Sequence, residues 1–328
     1  MSALRIRLFG KFSAARDGRE LEKLDACKAQ ELLCYLLVHR ARPHPREALA
    51  ALLWGDATTE KSKKYLRQSL WHLQGVLDAH AARQDDEQEM LHAGHDWVQL
   101  NAGVEFWLDV ERFEHAFEAA RGQRGAQLVA ETRDELRAAV ELYRGDLLEG
   151  WYQDWCLFER ERLQNMYLLM LDKLMSDCDA RDDYEAGLHY GALVLRQDRA
   201  RERAHRQLMS LHYRAGDRTA ALRQYESCAA ALSEELNVAP DRHTVELYQR
   251  IRSDQLEPPT VPTVPTVPTE PEPTGESAPA PLSLPEVLGR LRQLQHIVAD
   301  AQRRIQQDIQ AVESTIKRKA SRVVNRQS

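Results

Sequence analysis

Cysteine is scarce in this chain and follows no pattern. Five occur in 328 residues, Cys27, Cys34, Cys156, Cys178 and Cys228, with no Cys-x-x-Cys pair among them. That excludes the ligand spacing of a structural zinc site and argues against a disulfide framework; they read as reduced core thiols of a cytoplasmic protein. Long apolar runs are missing as well. No stretch approaches the ~18–20 residues of a membrane span. Residues 1–10 alternate charged and apolar side chains where a signal peptide needs a continuous apolar segment. The phosphate-cradling loops GxxxxGKS/T and GxGxxG are absent, as is the nucleophile elbow GxSxG. His92 and His95 stand three apart but lack a cysteine pair, so they read as surface residues and not metal ligands. The expectation is a chain that is not an enzyme and carries no cofactor and no metal. An overall excess of positive charge is also lacking: 45 Lys plus Arg face 51 Asp plus Glu, a net of −6. Only a local basic patch is left to be found.

Proline is nearly confined to one place. Ten of the 13 prolines lie between Pro258 and Pro285, and Thr-Val-Pro repeats through residues 260–268. Proline at every third position favours polyproline II and cannot pack a core, so residues 255–283 read as a solvated spacer. Beyond it, Val287, Leu291, Leu294, Val298, Ala301 and Ile305 follow heptad spacing, and Ile309, Val312 and Ile316 continue after a four-residue step. Residues 284–328 are thus expected to form an amphipathic helix in a coiled coil, with oligomerisation as the first reading. Its end is basic, with Lys317, Arg318, Lys319, Arg322 and Arg326 and no acid after Glu313.

Before the spacer the chain divides by pattern into residues 1–104 and 105–254. In the first part Leu4, Ile6 and Leu8 alternate with Arg5 and Arg7, the period of a strand. A second strand is expected near Phe12, and Asp17-Gly18 predicts a hairpin turn. Helices are predicted over 27–40, with Leu32, Leu33, Leu36 and Leu37, and over 45–54, with Leu49, Leu52 and Leu53. A third runs from Thr58 or Thr59 to about 79. A short hairpin, 90–92 and 97–100, follows an acidic loop containing Asp85, Asp86, Glu87 and Glu89. Strands, three helices and a terminal hairpin form the order of a winged helix, whose third helix reads DNA.

That third helix puts Leu66, Leu70, Leu73 and Leu77 on one face. At about 100° per residue the opposite face carries Lys61, Lys64, Gln68, Trp71, His72 and Gly75, with Arg67 on its flank. Residues 61–72 hold four basic residues (Lys61, Lys63, Lys64 and Arg67) and no acid. Lysine and arginine neutralise phosphates, while arginine and glutamine match base edges. Trp71 points outward, where it would touch DNA or pack on Trp97 or the second domain.

Residues 105–252 read as helical. Asp109 is placed to cap a helix bearing Val110, Phe113, Phe117 and Ala120. Another carries Leu136, Val140 and Tyr143, and a long one spans about 154–180. Asp183-x-x-Ala186-x-Leu188 then recurs as Asp217-x-x-Ala220-x-Leu222, an offset of 34 residues and the period of tetratricopeptide helix pairs.

The words Leu-Phe-Gly at 8–10, Leu-Leu-Trp-Gly-Asp at 52–56 and Tyr-Leu-Arg-Gln-Ser-Leu-Trp-His-Leu at 65–73 resemble a response-regulator-type winged helix. Tyr-Arg-Gly-Asp-Leu-Leu at 143–148, Trp-Cys-Leu-Phe-Glu-Arg-Glu-Arg-Leu at 155–163 and Tyr-Arg-Ala-Gly-Asp-Arg-Thr-Ala-Ala-Leu at 213–222 resemble a bacterial transcriptional activator domain. Together the arrangement is similar to the Streptomyces antibiotic regulatory protein family over about 250 residues. Where members often carry a further basic residue late in the recognition helix, this chain has Gln74 and Gly75.

The resemblance implies a mainly α fold: an α+β winged helix-turn-helix, an α-helical tetratricopeptide-like domain, a Pro-rich linker and a C-terminal helix. It implies a transcriptional regulator, more an activator than a repressor, bound to double-stranded promoter DNA. The DNA-contacting set would be Lys61, Lys63, Lys64, Arg67, Gln68, Trp71 and His72, with His95 in the wing. The helical domain would contact RNA polymerase or a second protomer in a homo-oligomer, with no membrane involved. One alternative stays open. Residues 1–101 hold 15 basic and 14 acidic side chains, so the helical module could be a protein-binding scaffold whose winged helix no longer binds DNA specifically.

Overall fold

The computed structural model describes residues 4–21, 27–78, 89–101 and 103–255. The spacer, the heptad stretch, the basic end and residues 85–87 lie outside the described residues. Strand β1 (Leu4–Arg7) buries Leu4 and Ile6 and exposes Arg5, as its alternation requires. It pairs antiparallel with β2 (Ser13–Arg16), which turns through Asp17 and Gly18 into β3 (Arg19–Glu20). Both turn residues have positive φ, 53° and 77°, the geometry of a type I′ hairpin.

Helix α1 (Cys27–Val38) leads through a two-residue strand β4 (His44–Pro45) into α2 (Arg46–Leu53) and α3 (Thr59–Asp78). A hairpin of β5 (Leu91–Ala93) and β6 (Trp97–Leu100) follows, and β4 joins it to make a sheet of order β4-β6-β5. The leucine stripes predicted for the three helices meet in one core. Leu32, Leu33, Leu36, Leu37, Leu49, Leu53, Leu66, Leu70, Leu73 and Leu77 are each at most 3% exposed. Leu52, placed in the same stripe by its spacing, stands 44% exposed instead, because the buried face of α2 centres on Leu49, Leu53 and Ala50, and Leu52 lies about 100° from Leu53 and about 160° from Ala50.

The helical part comprises α4 (Asp109–Ala119), α5 (Ala130–Leu142), α6 (Asp154–Ala180), α7 (Tyr184–Gln197), α8 (Glu202–Arg214), α9 (Arg218–Leu236) and α10 (Arg242–Arg252). The 34-residue repeat is visible at its helix starts. Asp183 caps α7 by accepting from the Ala186 amide, and Asp217 caps α9 by accepting from the Ala220 amide. Close packing of α7 on α8 is set by glycine. A Cβ on Gly191 would stand 2.3 Å from the Leu208 side chain.

The pattern-based division at residue 104 cuts through a sheet. A further strand, β7 (Phe106–Leu108), pairs parallel with β1 to complete the order β3-β2-β1-β7. Asp109 does not cap α4 as predicted. The capping position is Leu108, without a side-chain bond, and the buried Asp109 carboxylate turns back to accept the Leu8 and Phe9 amides at 2.9 Å. The same turn is held from a second direction. Gly10 donates to the Asp146 carbonyl, Leu148 to the Leu8 carbonyl and Glu149 to the Gly10 carbonyl, each at 2.8 Å. Leu-Phe-Gly and Tyr-Arg-Gly-Asp-Leu-Leu, two separate words of the family resemblance, are therefore the two sides of one backbone seam. Leu148 adopts φ +49° there, a strained conformation for a branched side chain; its amide bond and complete burial hold it. Arg160 of α6 donates to the Leu147, Leu148 and Trp151 carbonyls and fixes the loop from below.

Helix α1 also meets α6. Tyr35 packs edge-on against Trp155 with ring centroids 5.4 Å apart, and Arg40 bridges Glu111 and Glu114 of α4. His39 lies 3.8 Å from Glu159, and His44 shares its Nε2 with the His39 carbonyl at 3.0 Å. Burial lowers both imidazole pKa values, opposed at His39 by Glu159 and assisted by Arg42 at both, with Arg162 adding to the effect at His39. Both histidines bind a proton less readily folded than unfolded. Their contribution to stability is therefore complete above the unfolded value near 6.5 and drains away as pH falls below it. The urea midpoint is expected to drop between pH 7.5 and 5.5, and to drop less in a His39→Gln/His44→Gln chain. Equal drops in both chains would place the acid sensitivity elsewhere.

Candidate nucleic-acid interface

The turn between α2 and α3 is closed by one small side chain. Ser62, 5% exposed, donates to the Thr58 carbonyl at 3.0 Å and reaches the Trp54 and Ala57 carbonyls at 3.2 and 3.4 Å. The Thr58 carbonyl also accepts the Ser62 amide and the Trp54 carbonyl the Ala57 amide, so the hydroxyl ties the end of α2, the turn and the start of α3 together. The wing is tied to the same unit. The Arg46 amide, first in α2, donates to the Asp96 carbonyl at 2.9 Å, and its guanidinium reaches the Gly94 carbonyl at 3.1 Å. Trp97 stacks on His92 at 5.1 Å across the hairpin, and a Cβ on Gly94 would stand 3.0 Å from the Trp97 ring. Sequence reading missed Ser62 and Arg46, since neither bond leaves a spacing signal.

On this frame α3 turns Lys61, Lys64, Arg67, Gln68 and Trp71 to solvent, all exposed. Lys64, Gln68, Trp71 and Gly75 fall within about 60° of one another around the axis, with Arg67 about 40° beyond Trp71 on the flank. Glu60, one turn before Lys64, is exposed in the first turn of the helix; between residues 61 and 77 there is no acid, so from Lys61 on the exposed face is a stripe of positive charge and hydrogen-bond donors. Lys63 departs from the group. It lies about 40° beyond Arg67, at the edge of the face, and pairs with Glu47 of α2 at 2.6 Å. His72 is partly buried on the edge of the stripe. His95 is exposed at the wing tip, 2.7 Å from the Asp96 carboxylate. Trp71 packs neither on the wing nor on the helical module, for it is 78% exposed.

The exposed face of α3 offers cations and hydrogen-bond donors. Among the described residues no group of three His, Cys, Asp or Glu is placed to hold a metal, and no helix is long and apolar enough to cross a membrane. Cys34, Cys156, Cys178 and Cys228 are buried, and burial pushes the Cys228 thiol up to about 11, far from a reactive thiolate.

Known proteins share this build. Residues 108–252 match the bacterial transcriptional activator domain. Regulatory protein AfsR of Streptomyces coelicolor is 30% identical over 250 residues, 76% of this chain and 24% of that protein. The chain thus spans about a quarter of that relative's length. Mycobacterium tuberculosis EmbR, solved in complex with a low affinity phosphopeptide, has the same fold. Its TM-score is 0.58 at 20% identity, covering 78% of this chain and 67% of that one. With the winged helix before it and the seam that joins them, the chain carries a bacterial transcriptional activator domain and is similar over 76% of its length to a Streptomyces regulatory protein.

Proposed function

We propose that the chain regulates transcription by binding promoter DNA, with α3 in the major groove and the β5–β6 wing on the neighbouring backbone. The observation that supports it is the acid-free stripe of Lys61, Lys64, Arg67 and Gln68 on the exposed face of a helix held by a helix-turn-helix and a wing. Phosphate contacts position such a helix and base-edge contacts specify its site. Lys61 and Lys64 supply the first; Arg67 and Gln68, midway along α3, supply the second. Activation is the expected sign. The helical module would then face RNA polymerase or a second protomer, and Tyr152 and Phe158, 78% and 73% exposed near the start of α6, suit such a contact.

Anisotropy of the full chain on labelled DNA from upstream of its own gene, across a salt series, tests this. The expected result is binding tighter than to random DNA, with log K falling linearly in log salt. Binding equal on all sequences would overturn it. That outcome favours the scaffold reading, for which the groove between α6, α8 and α10, lined by Met175, Arg203, Arg206, Gln207 and Leu247, is the available surface.

A further inference from the structure

The exposed face of α3 carries two residues that cost the protein something and that the positive stripe does not explain. One is Trp71. Its ring stands 78% exposed and stacks on no described residue, although an indole in water forgoes the largest burial any side chain offers. The other is Gly75, one helical turn further on. Glycine inside a helix is unfavourable relative to alanine, and the usual structural reason for one is close packing. Gly75 has none: a Cβ built there meets nothing within 4 Å. Alanine would fit the free protein and strengthen the helix.

The two sit within about 40° of one another around the axis, on the same side as Lys64, Arg67 and Gln68. A bulge of apolar ring is followed by a bare stretch of helix backbone. That relief is of no use to the chain alone, and it matches the major groove of DNA. The groove offers one apolar group at its base edges, the thymine 5-methyl. A helix lying in it must bring its backbone close to a phosphate strand near one end.

We infer that Trp71 is a specificity residue that covers a thymine methyl, and that Gly75 lets the second half of α3 approach the sugar-phosphate backbone. The inference rests on the DNA-binding reading above. The surrounding charge favours DNA over protein as the partner of the ring, since residues 61–77 contain no acid and the neighbouring exposed side chains are Lys64, Arg67 and Gln68.

The test uses the full chain and the upstream fragment, with each thymine in turn replaced by deoxyuridine, which removes only the methyl. Wild type is expected to lose roughly fourfold in affinity at one or two positions, the worth of one buried methyl. Trp71→Ala should bind more weakly overall and be indifferent to deoxyuridine at those positions. Gly75→Ala should melt at a higher temperature yet bind the fragment several-fold more weakly. Deoxyuridine without effect at every position, or the same pattern retained in Trp71→Ala, overturns the thymine assignment. Unchanged affinity in both variants transfers Trp71 to a protein contact and leaves the DNA-binding reading standing. No specific binding by wild type removes both.

Discussion

Replacing Lys64 and Arg67 together by alanine is expected to weaken specific DNA binding about 30- to 1000-fold at physiological salt. The figure comes from one phosphate contact and one base-edge contact. Each lost phosphate contact lowers the slope of log K against log salt by about 0.9. A lost bidentate base contact removes about 1–3 kcal/mol of discrimination. The two effects separate experimentally. Lys64→Ala alone should flatten the salt dependence and weaken all sequences alike, whereas Arg67→Ala should narrow the gap between the promoter and random DNA. Both side chains are exposed, so melting should stay within a degree or two of wild type. A double variant with wild-type affinity and slope would falsify the placement of α3 in the groove. Lys63→Ala serves as the internal control. Its ammonium is held by Glu47, about 140° around the helix from Gln68.

The second large effect is on folding. Asp109→Ala should destabilise the chain by roughly 2–6 kcal/mol, read as a shift of the urea midpoint. Leu8 is fully buried and Phe9 is 4% exposed, and the Asp109 carboxylate accepts both their amides. Alanine removes the acceptor of these two buried N–H groups, at about 1–3 kcal/mol each, and of the Val110 amide beside it, against a total stability of about 5–15 kcal/mol for a domain. Burial pushes this carboxyl above its ordinary pKa, while the Phe9, Leu8 and Val110 amides and Arg7 pull it back. The charge is tolerated for the sake of those bonds. Asp109→Asn should fall in between, because its amide presents one acceptor and turns a donor toward a donor. A midpoint unchanged in Asp109→Ala would mean that the seam carries no weight in the fold.

Asp109 also marks where sequence reading reached its limit. An acid just ahead of an apolar stripe obeys the local rule for a helix cap, and at Asp183 and Asp217 that rule holds. At Asp109 the carboxylate serves amides about a hundred residues earlier, which no local rule can reach. Strand β7 escaped for the same reason. Phe106, Trp107 and Leu108 are too few to show a period, and their partner is the first strand of the chain. Strand β4 is two residues long and includes a proline. The elements that were legible repeat their signal: the leucine stripes of α1 and α3, the Asp-Gly turn, and the two aspartates 34 residues apart. On the candidate site, helical angle placed Lys64, Arg67, Gln68 and Trp71 on the outer face. Lys63 entered the set because it belongs to a basic run along the sequence. Only the neighbouring α2 shows that its angle turns it to Glu47.

The backbone seam has a bearing on how such regulators can be recombined. A DNA-reading head is often treated as a cassette, cut at the end of its wing and grafted onto another body. Here the cut would part β1 from β7 and Leu8–Gly10 from residues 146–149, leaving open backbone on both pieces. The transplantable cassette is discontinuous along the chain. It is the head together with residues 106–109 and the 143–151 loop, so a new binding specificity can be exchanged only between bodies whose loops fit the incoming first strand.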